Sequence, residues 1–118
     1  MKLIPISIFP NTADTESGPN IHIDDDQLTI SYSDYKNDNH KYEISEIVSF
    51  RFEGSGLKEY EGFSDDDQME VMESSRITEL KNNGDLGVTE IARHILIGFN
   101  EKGGIVLDII FSGQIKRC

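Results

Sequence analysis

Apolar and polar residues alternate along most of this chain, which is the pattern of half-buried β-strands. Leu28, Ile30 and Tyr32 take every second position, with hydroxyl residues between them. The alternation returns in residues 95–99 and 105–111, on either side of a polar turn that contains Gly-Gly. Residues 105–111 are apolar on nearly both faces, which is typical of a central strand. The chain is therefore predicted to end in a hairpin whose second strand is buried on both sides.

Two further segments are predicted to be strands, and a loop separates the first of them from the strand near Ile30. Residues 2–9 are rich in isoleucine and predict a first strand, in which Pro5 indicates a sheet edge or a bulge. Residues 10–20 are predicted to be a loop from their composition. Residues 41–53 regain extended character and form a hairpin with the strand near Ile30, around the polar turn at 34–40.

A helix is predicted between these strands and the C-terminal hairpin, with two possible starting points. A Ser–Asp capping signal at positions 64 and 67 would begin a long helix. Alternatively, Met69–Met72 is a short extended piece, and Ser74 or Ser75 caps a shorter helix that runs to Lys81. We favour the shorter helix, because adjacent serines are poor in a helix interior and good at its start. Both versions end at the Asn-Asn-Gly sequence that follows Lys81.

The order of strands, one helix and strands in 118 residues predicts a single domain spanning 1–118. We expect the α+β class, with an antiparallel β-sheet of about five to six strands and one helix packed on one face. A chain of this length buries enough surface to fold without a metal or a disulfide.

Charge narrows the choice of function. The chain has 22 acidic and 11 basic residues, a net charge of −11. Such a balance argues against nucleic acid and against an anionic membrane surface as partners, because both would be repelled.

No apolar run approaches the roughly 20 residues of a membrane helix, and no signal peptide is recognised. Cys118 is the single cysteine, so no internal disulfide forms and a reducing compartment is expected. We predict a cytoplasmic protein.

No catalytic or metal centre is recognised in the sequence. His40 falls in a polar turn and is expected to be solvated, and His94 is interpreted as a partly buried residue bonded to backbone. No serine or cysteine lies in a nucleophile-elbow context, so neither enzymatic activity nor a cofactor is expected. The aspartate triplets at 24–26 and 65–67 lack the alternating ligands and the glycine of a calcium loop. We interpret both triplets as solvated turns.

The stretch from Glu53 to Glu73 holds eight acidic residues against the single Lys58. It therefore carries seven of the eleven excess negative charges in 21 residues. A solvated face beside a helix N-terminus would explain part of this, since the helix dipole favours negative charge there. Aromatic residues within the stretch favour an interface instead, because they are common anchors. The predicted partner-binding residues are Glu59, Tyr60, Glu61, Phe63, Asp65, Asp66, Asp67, Glu70 and Glu73.

The segments Glu70–Lys81 and His94–Ile110 have a recognisable layout: a short acidic stretch, a Ser-capped helix and a His-led hairpin. This layout resembles small immunity proteins of polymorphic-toxin and contact-dependent inhibition systems. The resemblance covers roughly the C-terminal half and supplies no catalytic residues. It implies a small, cytosolic, acidic inhibitor.

Two classes of function follow from these observations. In the first, the chain is an immunity-type inhibitor that binds a basic toxin domain, such as a nuclease, and is guided to it by electrostatic steering. In the second, it is a self-associating adaptor or structural protein whose sheet edge pairs with another copy. An enzyme with an unrecognised site is a third hypothesis.

Overall fold

The computed structural model describes residues 2–54, 63, 67–99 and 105–118. Within these residues the chain forms strands, one α-helix and one turn of 3₁₀ helix at Thr12–Asp14. The strands are β1 Lys2–Pro5, β2 Thr15–Asp24, β3 Gln27–Asp34, β4 Asn39–Ile44, β5 Ile47–Gly54, β6 Gln68–Met72, β7 Arg93–Phe99, β8 Ile105–Phe111 and β9 Ile115–Arg117, and the helix is α1 Ser75–Asn82. No helix among the described residues is long and apolar enough to cross a membrane.

The strands form two antiparallel sheets, where we expected one. The five-stranded sheet has the order β1-β6-β7-β8-β5, and the four-stranded sheet has the order β2-β3-β4-β9. The expected mixture of antiparallel strands and one helix is present, but the single sheet of five to six strands is wrong. An eight-residue helix is only about 12 Å long, whereas five strands span roughly 19 Å. The helix is too short to cover such a sheet, and the apolar strand faces are buried against each other instead.

The main core lies between the two sheets. It is built from alternate residues of the strands that the sequence pattern predicted: Leu28, Ile30, Tyr32, Ile95, Ile97, Phe99, Leu107, Ile109 and Phe111, all buried. Strand β8 lies between β7 and β5, so its predicted central position is confirmed. A smaller cluster of Val71 and Leu96 packs on the opposite, outward face of the five-stranded sheet.

Two strand pairs pass from one sheet to the other at a shared corner. The connection between β4 and β5 runs beside the connection between β8 and β9, with hydrogen bonds from Ser45 N to Gln114 O (3.0 Å) and from Ser112 N to Glu46 O (2.9 Å). Gly113 makes this close approach possible, because a Cβ there would lie 2.7 Å from the carbonyl carbon of Ser45. The corner therefore depends on a residue without a side chain.

Two predictions of local secondary structure have opposite outcomes. The favoured short helix is confirmed, because Met69–Met72 lies within β6 and Ser74 caps α1. The predicted loop at 10–20 is wrong in its second half, because β2 begins at Thr15. The Gly18–Pro19 pair suggested a loop, but the strand accommodates it with register shifts between Thr15 and Asn20. Strand β2 can do so because it lies at a sheet edge, where proline is tolerated.

Candidate functional site

Ser74 lies in a sharp connection between β6 and α1. The preceding residue, Glu73, adopts φ 54°, a left-handed conformation that non-glycine residues rarely adopt. Ser74 itself is extended, and its Oγ accepts a hydrogen bond from Ile77 N at 3.2 Å, as an N-cap residue does. The residue is only 5% exposed. The strand-to-helix connection thus holds one serine hydroxyl in a fixed and nearly buried position.

His94 joins this serine to the five-stranded sheet. Its Nδ1 lies 2.7 Å from Ser74 Oγ, and its Nε2 lies 2.7 Å from Asp108 Oδ1. His94 alternates with core residues of β7 and Asp108 with those of β8, so both side chains project from the outward face. The histidine is 1% exposed. We expected a partly buried histidine bonded to backbone; the structure shows a fully buried histidine bonded to two side chains.

Asp108 is the charged centre of this group. Arg76 Nη1 donates to its Oδ1 at 2.7 Å, and Arg51 Nε donates to its Oδ2 at 3.1 Å. Burial alone would raise the pKa of Asp108, but the hydrogen bonds from His94 and Arg51 and the charge of Arg76 lower it overall. The carboxyl group is therefore ionised, and it holds α1 against the sheet through Arg76.

The charge of Asp108 sets the hydrogen-bonding roles of His94. An ionised carboxylate can only accept hydrogen bonds, so the contact with Asp108 requires His94 Nε2 to be the donor. A neutral imidazole donates from Nε2 to Asp108 and accepts the Ser74 hydroxyl proton at Nδ1. The serine, histidine and aspartate side chains thus form one continuous hydrogen-bonded chain, which we call the Ser74–His94–Asp108 relay.

A cavity of about 320 Å³ opens beside the relay. Ser74 and His94 both line it, together with Ile77 and Thr78 of the helix. Its lining also includes Glu70 and Glu73 from the end of β6 and the following turn, and Arg93 from the start of β7. Acidic residues, two hydroxyl residues and a histidine therefore line one opening in the surface.

The nine predicted partner-binding residues divide into two groups. Glu59, Tyr60, Glu61, Asp65 and Asp66 lie outside the described residues. The other four lie on or next to β6 and the turn after it. Phe63 packs against the Val71–Leu96 cluster, and the Asp67 carbonyl accepts a hydrogen bond from Gly98 N at 2.8 Å. Glu70 accepts from Arg93 Nη2 at 2.9 Å, and Glu73 is exposed at the turn. Of the nine, Glu70 and Glu73 share the cavity.

A second buried network lies in the four-stranded sheet. Asp34 accepts hydrogen bonds from His40 Nε2 at 2.9 Å and from Asn11 Nδ2 at 2.8 Å. These bonds hold the pKa of Asp34 well below its usual range. His40 is 6% exposed, with its ring 4.9 Å from that of Tyr32, so the prediction of a solvated histidine is wrong. Strand β4 begins at Asn39, which places His40 on the inward face instead of in the turn.

Metal ligands do not converge in the described part of the chain. Within it, no group of three or more His, Cys, Asp and Glu residues could hold a metal ion. The first aspartate triplet, at positions 24–26, is exposed at the turn between β2 and β3. In the second triplet, positions 65 and 66 lie outside the described residues.

Comparisons of the chain with protein-family models, with curated proteins and with solved structures found no match. The functional assignment therefore depends on the charges and the geometry of the chain itself.

Proposed function

We propose that this chain neutralises a basic protein partner in the manner of an immunity protein, by binding a toxin domain such as a nuclease through its acidic surface. The observation that carries the proposal is the division of charge between the groups bonded to one another within the fold and the rest of the chain. Nucleases carry positive charge where they bind phosphates, so an acidic inhibitor would be attracted to the same surface.

All four arginines make internal contacts. Arg51 and Arg76 bind Asp108, and Arg93 binds Glu70 through two nitrogens. Arg117 donates to Tyr42 Oη at 2.8 Å and to His40 Nδ1 at 3.2 Å. These four cations and the carboxylates of Asp34, Glu70 and Asp108 amount to four positive and three negative charges. These groups sum to +1 and the net charge of the chain is −11, so the rest of the chain carries a net charge of −12. The only permanent side-chain cations in that remainder are lysines.

The cavity beside α1 supplies a place where a partner's side chain could bind. Its volume of about 320 Å³ exceeds that of one extended cationic side chain, and Glu73 is exposed at its edge. The hydroxyl of Thr78 adds a neutral acceptor. A lysine or arginine of a basic partner would find complementary charge there at Glu73.

The test uses the product of the gene directly upstream, because an immunity gene commonly follows its toxin gene. Association with this protein is measured by stopped-flow fluorescence at several salt concentrations. The test variant carries Asp65→Asn, Asp66→Asn and Asp67→Asn. Its matched control carries Asp24→Asn, Asp25→Asn and Asp26→Asn, which remove the same charge from another aspartate triplet at the turn between β2 and β3.

We expect the test variant to associate about five- to tenfold more slowly at low salt. Each lost charge contributes roughly 0.4 kcal/mol to attraction at 10 Å in water, and 1.4 kcal/mol corresponds to a tenfold change. The control triplet should change the rate by less than about twofold, and high salt should reduce the difference. Equal effects of both triplets would exclude a localised acidic surface, and no relief of the upstream protein's toxicity would exclude the immunity function.

One observation favours the alternative of self-association. Strand β5 is at the edge of the five-stranded sheet, and Phe52 on this strand is 52% exposed. An exposed edge strand with an apolar side chain is a common site of strand pairing between copies. Light scattering separates the two functions, because a stable large homo-oligomer would support the adaptor and a monomer would contradict it.

A further inference from the structure

We propose that Ser74 is a nucleophile that small activated esters acylate in the folded chain. The inference rests on three features that occur together: the Ser74–His94–Asp108 relay, the cavity that Ser74 and His94 both line, and the strained connection before the serine. It goes beyond the proposed binding function, and it requires no partner protein.

The connection between β6 and α1 resembles the turn on which many hydrolases carry their nucleophile. Hydrolases present a reactive serine at a sharp turn from a strand to a helix, where the local backbone is strained. Here the strain lies one residue earlier, at Glu73 with φ 54°. A left-handed non-glycine residue is unfavourable and persists only where the surrounding structure holds it. At this end of α1, the N–H of Ile77 is bonded to Ser74 Oγ and that of Thr78 to the Ser74 carbonyl oxygen, so the N–H groups of Ser75 and Arg76 are the candidate donors to an oxyanion.

The relay provides the route for the proton. Ser74 Oγ attacks the carbonyl carbon of the ester, and its proton moves to His94 Nδ1. The Nε2–H of His94 remains hydrogen-bonded to Asp108 throughout. The tetrahedral oxyanion then collapses, the bond to the leaving alkoxide or phenoxide breaks, and the Nδ1 proton is released to the leaving group or to water. The products are an acyl-serine and the free alcohol or phenol.

The acyl group leaves Ser74 only by a second step. In that step the Asp108 carboxylate, which in an ordinary triad stabilises the imidazolium alone, is shared with two guanidinium groups. Removal of the acyl group by water requires the same base a second time. The acyl group would therefore accumulate on Ser74, and we expect one equivalent of product in a burst followed by slow turnover.

The cavity is large enough for a small ester. Its volume of about 320 Å³ accommodates a short acyl group. Glu73 lines the cavity and is exposed, so its negative charge should make neutral or cationic esters react faster than anionic ones.

The experiment treats the folded full-length chain with p-nitrophenyl acetate and, separately, with diisopropyl fluorophosphate. Release of p-nitrophenol is followed by absorbance, and the modified residue is located by tandem mass spectrometry. Ser75 is the internal control, since it is the exposed neighbour and would appear in the same peptide. His94→Gln removes the base and Ser75→Ala removes the control hydroxyl; circular dichroism checks that both variants fold.

We expect one label per chain, located on Ser74, and no loss of labelling in Ser75→Ala. Labelling should fall about a hundredfold or more in a folded His94→Gln variant. If that variant does not fold, the wild type in urea replaces it, and its serines should lose selective labelling. Equal labelling of Ser74 and Ser75, labelling confined to lysines, or no label on the folded wild type would overturn the proposal. None of these outcomes affects the proposed binding function, which is measured with the partner protein.

Discussion

Replacing Ser74 with alanine is the most informative single test of how α1 is held on the sheet. The substitution removes the oxygen that accepts from Ile77 N and the hydroxyl that donates to His94 Nδ1. Loss of an N-cap costs about 0.5–2 kcal/mol. A buried acceptor without its donor costs about a further 1–3 kcal/mol. We therefore expect Ser74→Ala to lower the free energy of unfolding by about 2–4 kcal/mol.

Ser75→Ala is the matched control for this prediction. Ser75 is the first residue of α1 and is exposed, and alanine is a better helix former than serine. Its free energy of unfolding should change by no more than about 0.5 kcal/mol. The two variants have the same composition, so any difference between them comes from position alone.

Urea unfolding followed by circular dichroism gives both values, and the dependence on urea should be the same in both variants. A typical domain has only 5–15 kcal/mol of stability, so a loss of about 3 kcal/mol is easily measured. If the two alanine variants agreed within about 0.5 kcal/mol, the hydrogen bond between Ser74 and His94 would contribute nothing, and our account of the relay would be wrong.

Three further predictions concern the rest of the fold. Asp108→Asn should lower the free energy of unfolding by about 3–5 kcal/mol, because two guanidinium groups lose their counter-charge; a urea midpoint like that of the wild type would contradict this. Gly113→Ala should lower the free energy of unfolding by about 1–3 kcal/mol through contact with the Ser45 backbone. Gly87→Ala, whose Cβ makes an ordinary 3.6 Å contact, should change it little. Equal melting temperatures of the two variants would contradict the close approach of the two connections at Gly113. The pKa values of Asp34 and Asp108 lie below their ordinary value of 3.8, so the stability they contribute is present above about pH 4 and is lost as the pH falls further; urea midpoints that stay constant from pH 5 to pH 2 would contradict it.

Alternation of apolar residues was enough to locate β3, β7 and β8, because each strand buries one side chain in two. The cap at Ser74 was also predictable, since it depends on neighbouring residues only. The second sheet was not, because the same alternation fits one sheet or two. Alternation could have placed His94 on the outward face, and an aspartate among apolar residues of β8 was the available signal for a buried partner.

The sequence by itself determined strands β3, β7 and β8, the short helix, its cap and the strongly negative charge, because each depends on composition or on residues close together in the chain. Only the tertiary structure decided which charges are internal. Asp108 meets Arg51 across a strand pair and Arg76 from the helix, at sequence separations of 57 and 32 residues. Strand register and helix docking set those meetings, and no local pattern records them. The same long-range pairing brings Ser74 to His94 and so creates the relay that the sequence did not reveal.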